Sequence, residues 1–134
     1  MSVQTIRGNE GKTRIYKMAV STTVVADTFL AFASGYVQPA TSSTAELKLI
    51  ARQAAVTDGS TNTEILCEEI DESTIMVVDT AGNTSQALVG TKIDLTDATK
   101  ANQAATTTKV LYVVGILGAA TDKKVICKAV SKDS

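Results

Sequence analysis

Apolar and polar residues alternate along most of this chain, in short runs separated by turn residues. "RIYKMAV" (14–20) and "TVVADTFLAF" (23–32) read as strands, the second interrupted at Asp27. "GYVQP" (35–39) reads as another, ended by the only proline, Pro39, which has no N–H to give to a central ladder. "EILCEEI" (64–70) and "STIMVVD" (73–79) flank a turn near Asp71-Glu72, and "QALVG" (86–90) and "TKIDL" (91–95) read as short strands after a turn at Gly82-Asn83. "KVLYVVGILG" (109–118) is apolar at both alternating sets of positions, which predicts the most buried strand. "AATD" then turns the chain into "KKVICKAV" (123–130), where Val125, Cys127 and Ala129 alternate with Lys124 and Lys128. Residues 56–63 read as a turn at Asp58-Gly59, and 96–107 as a loop with room for one helical turn capped by Asp97. Residues 1–13 are polar and aperiodic, which predicts an N-terminal arm, free or ordered only by a partner, ahead of a single β domain over 14–134.

Residues 45–55, "AELKLIARQAA", carry two periods at once. Ser43 and Glu46 fit a capping box, and Leu47, Ile50, Ala51 and Ala54 fall on one helical face. Leu47, Leu49 and Ala51 also alternate with Glu46, Lys48 and Arg52, as in a half-buried strand. An internal echo favours the strand. "LKLIARQAAVTD…EILCEE" and "LYVVGILGAATD…KVICKA" share an order of apolar strand, small residues, Thr-Asp turn and a second strand with one cysteine. The later copy is a poor helix because glycine punctuates a Val/Ile run, so both copies are read as hairpins.

Composition agrees with an all-β domain. The 134 residues suffice for one modest core, 44% are apolar but only 4% aromatic, and β-branched residues suit a pleated surface. Histidine is absent, which excludes Ser-His-Asp triads and His-ligated metals. Two cysteines are too few for a structural zinc site or a disulfide scaffold. No apolar run approaches the roughly 20 residues of a membrane helix, so a soluble chain from a reducing compartment is expected, with no membrane partner. A net charge of −1 argues against general nucleic-acid binding. The charge is nonetheless segregated: residues 53–99 hold Lys92 alone against Asp58, Glu64, Glu68, Glu69, Asp71, Glu72, Asp79, Asp94 and Asp97, whereas both flanking stretches are basic. This is either a solvated bias or a pair of faces that meet neighbours in an ordered array.

Candidate chemistry is sparse. "GNEGKT" (8–13) has two residues between its glycines where a phosphate loop needs four, and no apolar strand precedes it. Cys67 and Cys127 lie in apolar strands and read as core. "CEEIDES" (67–73) concentrates carboxylates without the alternate-residue spacing of a calcium loop. "NTS" (83–85) reads as turn chemistry rather than a glycosylation site. Thr41, Ser42, Ser43 and Thr44 have neither histidine nor a Ser-x-x-Lys pattern to activate them, so no enzyme activity is expected and the stretch reads as a corner.

"GYVQPATSSTAELKLIA" followed by a hairpin and "STIMVVDTAGNTSQALVGTKIDLTDATKANQAATTTKVLYVVGIL" resembles the small auxiliary capsid proteins of tailed bacteriophages, the decoration or cement proteins, over roughly residues 30–118. The resemblance implies a compact β-barrel or β-sandwich, β-tulip-like, of short and mostly antiparallel strands with an extended N-terminal arm. It implies a structural role on the outer surface of an icosahedral capsid, bridging major capsid subunits. The partner would be the phage major capsid protein, with self-association as a homotrimer, no cofactor, and a virion location after synthesis in the bacterial cytoplasm. Two partner-binding groups are then expected. Ile6, Arg7, Lys12 and Arg14 belong to a stretch, residues 1–14, that would lie on the capsid or on a neighbouring copy, where it could pair with a sheet edge, and Glu68, Glu69, Asp71 and Glu72 would face a basic partner surface. Rival expectations are another virion component (tail-tube, head-completion or fibre-base protein) or a carbohydrate-binding β-sandwich.

Overall fold

The computed structural model describes residues 3–7 and 13–130 of the chain. Its strands, in chain order, are β1 (Val3–Arg7), β2 (Thr13–Lys17), β3 (Thr23–Val24), β4 (Phe29–Ala33), β5 (Tyr36–Pro39), β6 (Leu49–Ala51) and β7 (Ala55–Val56). There follow β8 (Glu64–Glu69), β9 (Ile75–Asp79), β10 (Lys92–Asp97), β11 (Lys100–Asn102), β12 (Leu111–Ile116) and β13 (Lys124–Ala129). They form a six-stranded sheet in the order β1-β9-β13-β12-β10-β11, a five-stranded sheet in the order β2-β8-β6-β4-β5, and a two-stranded ribbon of β3 and β7. The ladders are antiparallel, and the arrangement is a compact sandwich-like all-β fold without a closed barrel.

Local chemistry explains the joints. Asp27 takes a left-handed φ of 63° between β3 and β4, a conformation that aspartate tolerates better than most side chains. Ser34 and Gly35 have φ of 53° and 86°, the two left-handed positions of a tight hairpin turn between Ala33 and Tyr36. Pro39 closes β5, the outer strand of its sheet, where a missing N–H leaves no central ladder broken.

Residues 49–51 are strand and fully buried, so tertiary pairing overrides the helix propensity of 45–55. Three other expectations need correction. Gln86–Leu88 is a 3-10 turn rather than a strand, and none of its residues is buried. Residues 96–107 contain β11, because Ala101 pairs with Leu95 and packs fully buried; Asp97 caps the hairpin turn through Thr99 and Lys100. The most buried strand is β6 and not the 109–118 run, in which Val114 and Leu117 are exposed. The first stretch also differs from a free arm. Val3–Arg7 runs antiparallel to β9 of the same chain, and Val3 is fully buried.

The two large sheets repeat one design. In the first unit, β2 pairs with β8, β8 with β6, β6 with β4 and β4 with β5; in the second, β9 pairs with β13, β13 with β12, β12 with β10 and β10 with β11. The registers correspond. Ala51 opposite Cys67 matches Val113 opposite Cys127, and Leu30 opposite Leu49 matches Ile93 opposite Leu111. Even the irregular contacts recur. Met18, just after β2, bridges Val37 in parallel, and Thr80, just after β9, bridges Ala101 in the same way. The following amides, Ala19 and Ala81, donate to the carbonyls of Val37 and Ala101 at 2.9 Å in both units. The echo of the sequence therefore belongs to a two-fold repeated topology, in which Leu49 rather than Leu47 corresponds to Leu111.

The units differ in what covers them. Met18, Val24, Leu30, Val37, Leu49, Ala51, Ile65 and Cys67 make the inner cluster of the first unit. The second unit's inner residues, among them Met76, Val78, Ile93, Leu95, Leu111, Val113, Val125 and Cys127, join Val3, Phe29, Ile50 and Ile70 in one larger core. Phe29 and Ile50 come from the opposite face of β4 and β6, so the first unit's outer face completes the second unit's interior.

Candidate functional site

The surface with most to offer a partner lies along β2. β9 has β13 on one side and β1 on the other, whereas its counterpart β2 has β8 on one side and, apart from the Met18 bridge, no strand on the other among the described residues. The direction of the backbone groups follows from alternation. Met18 N–H donates to the Thr63 carbonyl at 2.8 Å, so the polar groups of Tyr16 and Arg14 also point to β8, and those of Ile15 point away from it. Leu66, opposite Ile15, turns its carbonyl to Arg52 N–H at 2.9 Å, which confirms the alternation. Ile15 and Leu66 thus form a non-hydrogen-bonded pair with closely apposed side chains. They are 58% and 37% exposed, an apolar pair facing water beside open backbone groups.

The inner face of the same edge is polar at its rim. Tyr16 Oη donates to Glu69 Oε2 at 2.9 Å, and Arg14 Nε lies 3.7 Å from Glu69 Oε1. Burial and the Glu69 hydrogen bond raise the Tyr16 hydroxyl above its ordinary value. The Tyr16 ring meets Phe32 edge-on, with centroids 5.3 Å apart. The equivalents of Tyr16 and Phe32 in the second unit, Val78 and Leu95, are fully buried.

The expected partner-binding residues are scattered. The side chains of Ile6 and Arg7, and all of Lys12, lie outside the described residues; the backbone of Ile6 and Arg7 belongs to β1. Arg14 is exposed on β2. The four acids do not make one patch. Glu68 is buried and accepts from Arg52 Nε at 2.7 Å, while Arg52 also donates to Asp27 at 2.6 Å. Glu69 is held by Tyr16, and Asp71 accepts from Ser73 N–H and Oγ to fold its own turn. Glu72 stands between two shallow clefts, one lined by Glu46, Lys48 and Ile70, the other by Lys92, Tyr112 and Lys128.

Sequence reasoning missed both Ile15 and the Asp27–Arg52–Glu68 triad. Asp27 was visible as an interruption, but Arg52 lies just after β6 and Glu68 lies in β8, both distant in sequence. The hydroxyls of 41–44 hold their corner: Thr41 N–H donates to Thr44 Oγ1 at 2.9 Å, and Thr41 and Ser43 share a hydroxyl contact of 3.1 Å. Burial pushes the Cys67 thiol up to about 11 and the Cys127 thiol up to about 12, away from nucleophilic use.

Comparison with protein-family models, curated proteins and solved structures finds no match for the chain.

Proposed function

We propose that the protein is a virion structural protein that binds the outer surface of an icosahedral phage capsid and stabilises it by bridging major capsid subunits. The observation that supports this reading most is the exposed Ile15–Leu66 pair beside an open strand edge, the surface chemistry of a protein contact rather than of a small-molecule site. The resemblance over residues 30–118 points the same way. Its hydroxyl-rich stretch is spent on a backbone corner, which suits a building block. Lys17, exposed on the same face of β2 as Ile15, favours an acidic bearing surface on the shell.

The test is co-sedimentation with empty, expanded shells assembled from the major capsid protein encoded with this chain. Saturable binding at a fixed ratio per shell, with a raised shell melting temperature, is the expected result. Absence of binding at low salt, where charge attraction is least screened, overturns the proposal.

A further inference from the structure

We propose that the open edge of β2 is the contact of a two-fold homodimer, in which β2 of one copy pairs antiparallel with β2 of a second copy. The repeat supplies the first argument. The matching edge of the second unit is filled: β1 lies along β9 with Gln4 opposite Val77, and Val77 is the counterpart of Ile15. In the first unit the same edge, apart from the Met18–Val37 bridge, carries no strand among the described residues, and every other described strand already has a place in a sheet. A second copy of the chain can supply the strand that fills it.

The sequence of β2, "TRIYK", is suited to its own copy. With Ile15 on the two-fold axis, Ile15 faces its symmetry mate, Arg14 faces Tyr16 and Thr13 faces Lys17. No like charges stand directly opposite one another, which is the arrangement antiparallel pairs require. Backbone polarity agrees. Ile15 turns its N–H and C=O outward, so the central pair exchanges two hydrogen bonds, and the ladder ends at Lys17, beside which Val37 of β5 bridges Met18. On one face Leu66, Ile15, and their two symmetry mates become a continuous apolar row, removing the exposed side chains from water. On the other, Arg14 of each copy meets the ring of Tyr16 from its mate, a cation–π geometry. The result joins two five-stranded sheets edge to edge. This contact is two-fold, unlike the three-fold association that the phage resemblance implies, and because it covers the Ile15–Leu66 pair it competes with the capsid contact proposed above for the same edge.

Sedimentation equilibrium of the full chain, up to about 1 mM, tests it. The expected result is a reversible monomer–dimer equilibrium. Ile15→Pro removes only an outward-facing N–H, so it should abolish the dimer while the β2–β8 ladder persists. Ile15→Lys, which places two like charges on the axis, should weaken dimerisation at least tenfold and partly recover at high salt. Should the proline variant fail to fold, the lysine variant carries the test. A protein that stays monomeric throughout, forms trimers, or dimerises equally well as Ile15→Lys overturns the proposal.

Discussion

The two units share strand order, register and even their irregular bridges, yet they solve the problem of covering themselves differently. The second unit has β1 on its edge and the outer face of the first unit, through Phe29 and Ile50, over its interior. The first unit has a smaller inner cluster, a polar rim of Arg14, Tyr16 and Glu69, and, among the described residues, an edge that carries only the Met18–Val37 bridge. Equivalent positions show where the change was made: Met76 against Arg14, Val78 against Tyr16, Ala129 against Glu69. One topology thus serves as a packed foundation in one half and as a presented surface in the other.

The largest expected break in this comparison is Arg52→Ala. It removes the Arg52 guanidinium from Glu68, a buried carboxylate, and from Asp27, so a loss of about 3–5 kcal/mol is expected in urea unfolding. Its counterpart Val114 is exposed and has no such partners to lose, so Val114→Ala should cost no more than about 0.5 kcal/mol. Equal losses would mean that the triad is not what ties Asp27 to β6 and β8.

Next come the matched leucines. Leu49→Ala and Leu111→Ala each remove a fully buried side chain, and each should cost about 2–5 kcal/mol. Because the larger core draws residues from both units, both variants should still unfold in a single transition by calorimetry. Two resolved transitions would show that the units are energetically separate.

A smaller effect separates Asp94 from its counterpart Ala31. Burial alone would raise the Asp94 carboxyl, but N–H groups of Lys109, Thr107 and Thr108 outweigh it and hold the group below the usual carboxylate value. A depressed carboxyl stabilises the fold above the unfolded value of about 3.9, and that contribution is lost as pH falls through the lower, folded value. Asp94→Asn should therefore cost about 1–3 kcal/mol at pH 7, and the gap from wild type should shrink as the pH drops below about 4. A pH-independent gap would remove the carboxylate from the explanation.

The mildest probe is thiol reactivity. Both cysteines are buried at equivalent positions, so neither should react with a thiol reagent at pH 8 until the protein opens. Cys67, in the smaller cluster, should react before Cys127. The reverse order would contradict the ranking of the two cores.

Much of this was legible in the chain. Short alternating or continuously apolar runs between turn residues found β2, β4, β5, β8, β9, β10, β12 and β13, because buried and half-buried strands write their faces into neighbouring residues. The echo found the paired cysteines, since equivalent strands carry equivalent packing demands. Three things were hidden. β11 is short and polar apart from Ala101, and its pairing to Thr80 is non-local. β1 buries Val3 against residues far along the chain, so its order comes from tertiary contact rather than local pattern. Strand order decides which edge stays open, and local alternation says nothing about strand order. That is why Ile15, exposed on the outermost strand, was not among the residues expected to face a partner.

The central claim is that equivalent edges are filled in one unit and open in the other. Residue-resolved amide hydrogen exchange at low protein concentration, where any dimer has dissociated, tests it directly. Val77 N–H, bonded to β1, should be strongly protected, whereas Ile15 N–H should exchange nearly as fast as an unstructured amide and gain protection only as concentration rises. Equal protection of Ile15 and Val77 in the dilute protein would contradict it.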